Sequence, residues 1–222
     1  MNSNGRKTFF KGSILLVTFA IWTVLIQIVD VKPIGVNGTD IGFAIFNTWF
    51  HSLTGANMTL YNITDWLGLV PIFICMMFAM IGLVQLFKRK SLFKVDCDII
   101  FLGVYYIIVI FGYLIFEMIP INYRPILING FMEASYPSST TLLVLSVLPT
   151  LNFQATRRLK NATVKRIISV LTISFSVFMV VGRLVSGVHW ITDIIGSCLL
   201  SAGLFYIYKG AVLWNSTKNS RN

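Results

Sequence analysis

Repeated uncharged apolar stretches, each about as long as the ~17–25 residues that cross a bilayer, constrain this chain more than any other feature. In hydrocarbon every backbone N–H and C=O must be bonded within the protein, so a spanning segment is a helix or a strand of a closed barrel. These runs are too long and too continuously apolar for barrel strands. Six helices are predicted, at roughly Ser13–Val29, Trp66–Phe87, Ile99–Ile119, Ser138–Phe153, Ile167–Gly182 and Trp190–Tyr208. The expected fold class is all-α: a polytopic membrane protein built as a six-transmembrane-helix bundle, with residues 1–222 forming a single membrane domain. Only 12% of the residues are charged, against roughly 25% in soluble domains. Arg6, Lys7 and Lys11 precede the first run, as in a signal peptide. No small-x-small cleavage site follows, and more spans come later, so the first helix is expected to be retained. There is no internal repeat and no low-complexity tract. Cys75, Cys97 and Cys198 lack framework spacing, which argues against structural disulfides. Two histidines with no Cys/His pairing argue against a structural zinc site.

The net charge of +10 would suit nucleic acid, but its distribution suits membrane orientation better. All lysines and arginines except Lys32, Arg124 and Arg183 fall at the two termini and in the second-to-third and fourth-to-fifth connections. The positive-inside rule then puts both termini, including the tail 209–222, in the cytoplasm. It puts the loop 30–65, Arg124, Arg183, His189 and Asp193 on the outer side. No nucleic-acid partner is expected. Within the outer loop, "GFAIFNTWFHSL" has Phe/Trp spacing that suits a short amphipathic helix, either lying in the interface or packed over the bundle mouth. Sequons at Asn37, Asn57 and Asn62 carry little weight, because another at Asn161 falls on the predicted inner side.

Two outer connections hold the reactive groups. Ionisable residues at span ends are costly unless they are paired or useful. His189 and Asp193 are four residues apart and share a helix face. The carboxylate can hold one imidazole nitrogen and leave the other as nucleophile or base. An interfacial histidine, with an aspartate favoured by the helix dipole, would read the same way. Arg183 and Arg124 have planar forks that suit phosphate oxygens, and either could equally be a snorkelling anchor. In "YPSSTT", Pro137 fits a first helical turn, while Ser138, Ser139 and Thr140 supply hydroxyls and free N–H groups for an anion or for plain capping. Together these groups form a phosphate-handling constellation.

In these residues the chain resembles the type 2 phosphatidic acid phosphatase superfamily, whose pattern is Lys-x6-Arg-Pro, then Pro-Ser-Gly-His, then Ser-Arg-x5-His-x3-Asp. Here the third part reads Gly182-Arg183-x5-His189-x3-Asp193, with glycine in the usual serine's place. The first keeps Arg124-Pro125 but has Glu117 where lysine is expected, and the second reads Pro137-Ser138-Ser139-Thr140, with threonine for histidine. The resemblance implies that His189 attacks phosphorus to form a phosphohistidine, that Asp193 orients it, and that Arg124, Arg183 and Ser138 grip the phosphoryl oxygens. It implies that no metal or other cofactor is needed. It also implies a phosphorylated lipid substrate: phosphatidate, phosphatidylglycerophosphate or an isoprenyl diphosphate.

The histidine replaced by Thr140 protonates the leaving group in that family. A diphosphate substrate, whose leaving group needs no proton, would remove the need for it. Otherwise Glu117, Glu133 or His51 could supply the proton, with Glu117 the preferred substitute acid; in the lysine's place it removes a phosphate partner and adds a repelling charge unless it is protonated or paired with Arg124 or Arg183. The leading expectation is a phosphatase in the cell membrane, acting at the outer face among membrane lipids. The alternative is a non-catalytic relative that binds or moves a phospholipid headgroup. A small transporter or channel is less favoured, because the second and fifth helices carry no ion-path charges. Assembly into a homo-oligomer is left open.

Overall fold

The computed structural model describes residues 3–219. Among the described residues eight α-helices follow one another: α1 (Ser3–Ile28), α2 (Ala44–Thr54), α3 (Met58–Leu67), α4 (Leu69–Arg89), α5 (Cys97–Met118), α6 (Ser139–Arg158), α7 (Ala162–Val185) and α8 (Ile191–Asn219). No strand occurs among the described residues, only isolated bridges. Among the described residues, five segments are long and apolar enough to cross a membrane: Asn4–Ile28, Met58–Arg89, Cys97–Met118, Ala162–Val185 and Ile191–Asn215. Their outward side chains form an apolar belt, including Val17 and Ile21 on α1, Phe73 and Met80 on α4, and Val170 and Val177 on α7. Exposed apolar surface on that scale marks a lipid-facing protein.

The fourth predicted span, α6, is not among those five. It is 20 residues long, about 30 Å, and only its last three residues are exposed. α4, α5, α7 and α8 all pack on it. Its buried polar groups find partners inside the protein. Tyr105 donates to the Ser146 carbonyl at 3.0 Å, Tyr106 pairs with Thr150 at 2.7 Å, and Gln154 donates to Tyr208 at 2.7 Å. A helix shielded from lipid can afford serine, threonine and glutamine, and this lowers its hydropathy.

α1 and α8 run antiparallel at backbone contact. A Cβ on Gly12 would lie 2.8 Å from the Ile207 nitrogen, and one on Gly210 would lie 2.8 Å from the Phe9 nitrogen. Small residues at such crossings let helices approach closely in lipid. At the far end of α6, Arg158 bonds Asp96 at 3.1 Å and Asp98 at 2.7 Å, while Arg89 bonds Asp96 at 2.7 Å. This clasp ties the α4–α5 connection to α6, at the end opposite Ser138.

The loop 30–65, expected on the outer side, is more structured than expected, because α3 occupies its last part and only Gly68 separates it from α4. Asn57 starts α3 by accepting from the Leu60 N–H at 3.0 Å. The expected amphipathic helix is α2. Its buried side rests on the start of α8, where Asn47 donates to Thr192 at 3.0 Å. Ile45, Trp49 and Leu53 line the exposed side.

Candidate active site

The site lies where the α5–α6 strap, the start of α6 and the α7–α8 turn meet. Within the strap, Asn129 and Gly130 both have positive φ, at 50° and 83°. They close a tight turn, as Asn-Gly does in two-residue hairpins. The ladder beneath it pairs the Arg124 N–H with the Glu133 carbonyl at 3.1 Å and the Ser135 N–H with the Asn122 carbonyl at 2.9 Å. The ladder therefore fixes Asn122, Arg124 and Ser135 relative to one another.

The α7–α8 turn carries His189. It is held from outside by α2 and α3. The Asn57 N–H donates to the Ser186 carbonyl at 2.8 Å, and His51 Nε2 bonds the Gly187 carbonyl at 3.0 Å. Gly187 has φ of 66°, and a Cβ there would meet the Gly55 carbonyl oxygen at 1.6 Å, so only glycine fits. Trp190 Nε1 donates to the Tyr123 carbonyl at 2.8 Å and locks the turn to the strap.

His189 is 3% exposed. Its Nδ1 lies 3.1 Å from the Ser135 carbonyl oxygen and 3.3 Å from Ser135 Oγ. Asp193 Oδ2 is further off, at 3.9 Å. The Asp193 carboxylate accepts instead from Ser135 Oγ, from the Trp190 N–H at 2.9 Å and, on its other oxygen, from Asn122 Nδ2 at 3.3 Å. Nδ1 donating to the carbonyl leaves Nε2 as the bare nitrogen. Burial, together with the positive charge of Arg124 and Arg183, pushes the imidazole pKa well below the usual 6.5, against the opposing Ser135 carbonyl. His189 is therefore neutral at neutral pH, the form a nucleophile needs.

The two predicted phosphate-binding arginines come together. The Arg183 guanidinium lies 4.8 Å and that of Arg124 5.6 Å from the centroid of the Tyr61 ring. Neither pairs with Glu117. Arg124 Nη2 bonds Glu133 at 3.1 Å, and Arg183 Nη1 lies 3.6 Å from Asp65. Gly182, where the motif usually has serine, has a local cause: a Cβ there would stand 2.7 Å from the Thr64 methyl on α3.

Ser138 is fully buried at the N-cap position of α6, yet its side chain makes no cap bond. Six buried side-chain polar atoms among the described residues lack a partner, and four are Arg124 Nη1, Ser138 Oγ, Arg183 Nε and His189 Nε2. Orphaned polar atoms are rare in folded proteins; here Arg124 Nη1, Arg183 Nε and Ser138 Oγ are unspent donors, and His189 Nε2 is an unspent lone pair.

Two cavities meet here. A small one of about 10 Å³, room for roughly one water, is lined by Glu117, Ser139, Tyr113 and His189 among others. Thr140 lines the second, an apolar cavity of about 500 Å³ between α4, α5 and α6, with Leu69, Ile72, Val109 and Leu143. Tyr113 and Ser139 line both. Of the acid candidates, Glu117 thus shares a cavity with His189, Glu133 is engaged with Arg124, and His51 braces the turn. Asn122, Ser135 and Tyr61 lie in no expected motif. The Asn129-Gly130 pair was the one sequence signal that could have revealed the strap.

A family model described as the PAP2 superfamily matches residues 72–217, a stretch that holds all three motif positions. No curated protein matches the chain. The fold is similar to the crystal structure of a transmembrane PAP2-type phosphatidylglycerolphosphate phosphatase from Bacillus subtilis. The TM-score is 0.62 over 91% of this chain and 96% of that one, at 19% sequence identity.

Proposed function

This chain belongs to the PAP2 superfamily, and on that premise we propose that it is an integral membrane phosphatase that hydrolyses a lipid phosphate or isoprenyl diphosphate through a phosphohistidine. The observation that carries this reading is the bare, buried Nε2 of a neutral His189, within the field of Arg124 and Arg183. Nε2 attacks phosphorus, the N–P bond forms and the P–O bond to the leaving group breaks. Arg124, Arg183 and Ser138 hold the equatorial oxygens, with Ser139 at the open α6 N-terminus beside them. Water then cleaves the N–P bond and frees phosphate.

The apolar cavity beside the site supports a lipid substrate, since it offers hydrocarbon lining close to the reacting group. Thr140 faces that cavity, and its hydroxyl is a poor acid. Glu117 across from His189 is then the group that protonates an alkoxide leaving group, while a diphosphate substrate needs no such proton.

α6 is the sixth span, its polarity explained by its enclosure. The Arg89–Arg158 clasp and the basic connections around it lie at the end away from His189. That supports cytoplasmic termini and an outward-facing site in the cell membrane.

The Arg124–Glu133 and Arg183–Asp65 ion pairs favour a second reading, a relative that binds headgroups without turnover. Phosphate release from phosphatidate, phosphatidylglycerophosphate and an isoprenyl diphosphate separates the two. Release by the wild-type protein that is lost in His189→Ala supports the enzyme. Headgroup binding with no release from any lipid overturns it.

A further inference from the structure

His189 and Asp193 sit at the spacing of a nucleophile and its orienter, yet at 3.9 Å from Nδ1 to Oδ2 no hydrogen bond joins them. Ser135 fills the gap. It is 2% exposed, and it meets both partners. Its carbonyl lies 3.1 Å and its hydroxyl oxygen 3.3 Å from His189 Nδ1, and the same hydroxyl donates to Asp193 Oδ2. The backbone of Ser135 is not free to drift, because its N–H is bonded to the Asn122 carbonyl at 2.9 Å. Asn122 in turn donates its side-chain amide to Asp193 Oδ1 at 3.3 Å. Asp193 is thereby satisfied by three donors, none of them the imidazole.

We propose that Ser135 is a positioning residue: its carbonyl fixes the Nδ1–H tautomer of His189, and its hydroxyl passes the influence of the Asp193 carboxylate to the ring. This rests on the phosphohistidine reading above. When Nε2 bonds to phosphorus the ring becomes cationic, and the Nδ1–H leans on the Ser135 oxygens. The hydroxyl, already donating to Asp193, is polarised towards that charge. No bond between Ser135 and phosphorus is formed, and its proton stays on Oγ.

The charged and titratable groups facing His189 are Asp193 from α8, Arg183 from α7, Arg124 from the strap, and Glu117 with Tyr113 from α5. Tyr136 lines the same cavity, and His51 of α2 touches the turn at Gly187. Among these, only the link to Asp193 runs through the Ser135 hydroxyl. Removing the hydroxyl therefore weakens a stabiliser of the imidazolium and leaves the two arginines in place.

The test uses full-length protein in nanodiscs, with wild type, Ser135→Ala and Ser135→Thr compared. Turnover of phosphatidate is followed against pH. The 15N spectra of histidine-labelled protein are titrated in parallel. The chain has only two histidines, so His51→Gln assigns the signals. Ser135→Ala is expected to lower kcat about 10- to 100-fold, the worth of one hydrogen bond to a charged group, with KM unchanged. The acid limb of the profile and the His189 titration both move to lower pH, and Ser135→Thr restores most of the rate. A purely structural role would leave the titration of the folded fraction where it was. An unmoved titration overturns the proposal. So does an upward shift with activity retained, because Asp193 would then bond Nδ1 directly. If the wild type releases phosphate from no lipid, the phosphatase reading fails. The 15N titration then still decides, since a downward shift supports the coupling and an unmoved one refutes it.

Discussion

Arg124 and Arg183 stand over the same phenol ring. Their guanidinium carbons lie 5.6 Å and 4.8 Å from the centroid of Tyr61, although one arginine comes from the strap and the other from α7. Two like charges brought this close would repel. The ring's negative face offsets part of that, and Glu133 and Asp65 pair with the outer edges of the two guanidiniums. On the proposed phosphatase reading, this arrangement holds both forks in place before the phosphoryl group binds, which lowers the cost of organising the site.

Tyr61 is accordingly expected to matter for its ring and not for its hydroxyl. Tyr61→Leu should raise KM about 5- to 30-fold, from cation–π contacts worth ~0.5–2 kcal/mol each. Tyr61→Phe should stay within about twofold of wild type. Steady-state kinetics on phosphatidate checks both.

Glu117 should show a dependence on the leaving group. Glu117→Gln is expected to slow a lipid monophosphate by ~10²-fold or more, the scale of general acid catalysis. An isoprenyl diphosphate, whose leaving group departs as a phosphate, should slow far less. Equal loss on both substrates, or no loss on either, would remove Glu117 from the acid's role.

Gly182 is expected to reject the serine that its motif usually carries. Gly182→Ser drives a Cβ to 2.7 Å from the Thr64 methyl and pushes α3 off α7. The cost should be about 1–3 kcal/mol, the range for overpacking. Thr64→Ser, which deletes that methyl, should recover most of it in the double variant. Thermal unfolding in detergent reads the four corners of the cycle.

His189 sets a sign for pH. Its folded pKa lies well below the 6.5 of a free histidine, through burial and the two arginines. Between those two values the unfolded chain binds a proton that the folded one does not. The contribution of His189 to stability is therefore complete above pH 6.5 and falls as pH drops towards the folded value. Turnover should hold across neutral pH and decline only well into the acid range. A 15N titration of His189 that centres near pH 6.5 would mean that the ring is not buried as described.

Much of the helical scaffold was readable from the sequence. The predicted spans at Ile99–Ile119 and Ile167–Gly182 fall on α5 and α7 with small shifts at their ends. Helices outrun the apolar runs because long basic side chains reach the polar boundary while the backbone stays helical. α3 escaped notice because the polar residues of "MTLYNITDWL" mask its helical run, and α6 is less apolar than a lipid-facing span because its neighbours take lipid's place. The spacing of Arg183, His189 and Asp193 was legible as chemistry, since six- and four-residue steps are local. The expectation of a direct His189–Asp193 contact did not foresee Ser135 between them. An arginine partner for Glu117 was likewise not found, because Glu133 and Asp65 lie nearer the two guanidiniums.

The amino-acid sequence by itself determined the long apolar helices and the charged residues at their ends, because a lipid solvent permits little else for long apolar runs and taxes every charge placed within them. Tertiary structure alone decided which of those rim residues meet. Tyr61 is 122 positions from Arg183, and Ser135 is 54 from His189. No periodicity links positions that far apart; only the packing of α3 against α7 and of the strap against the α7–α8 turn brings them within bonding distance.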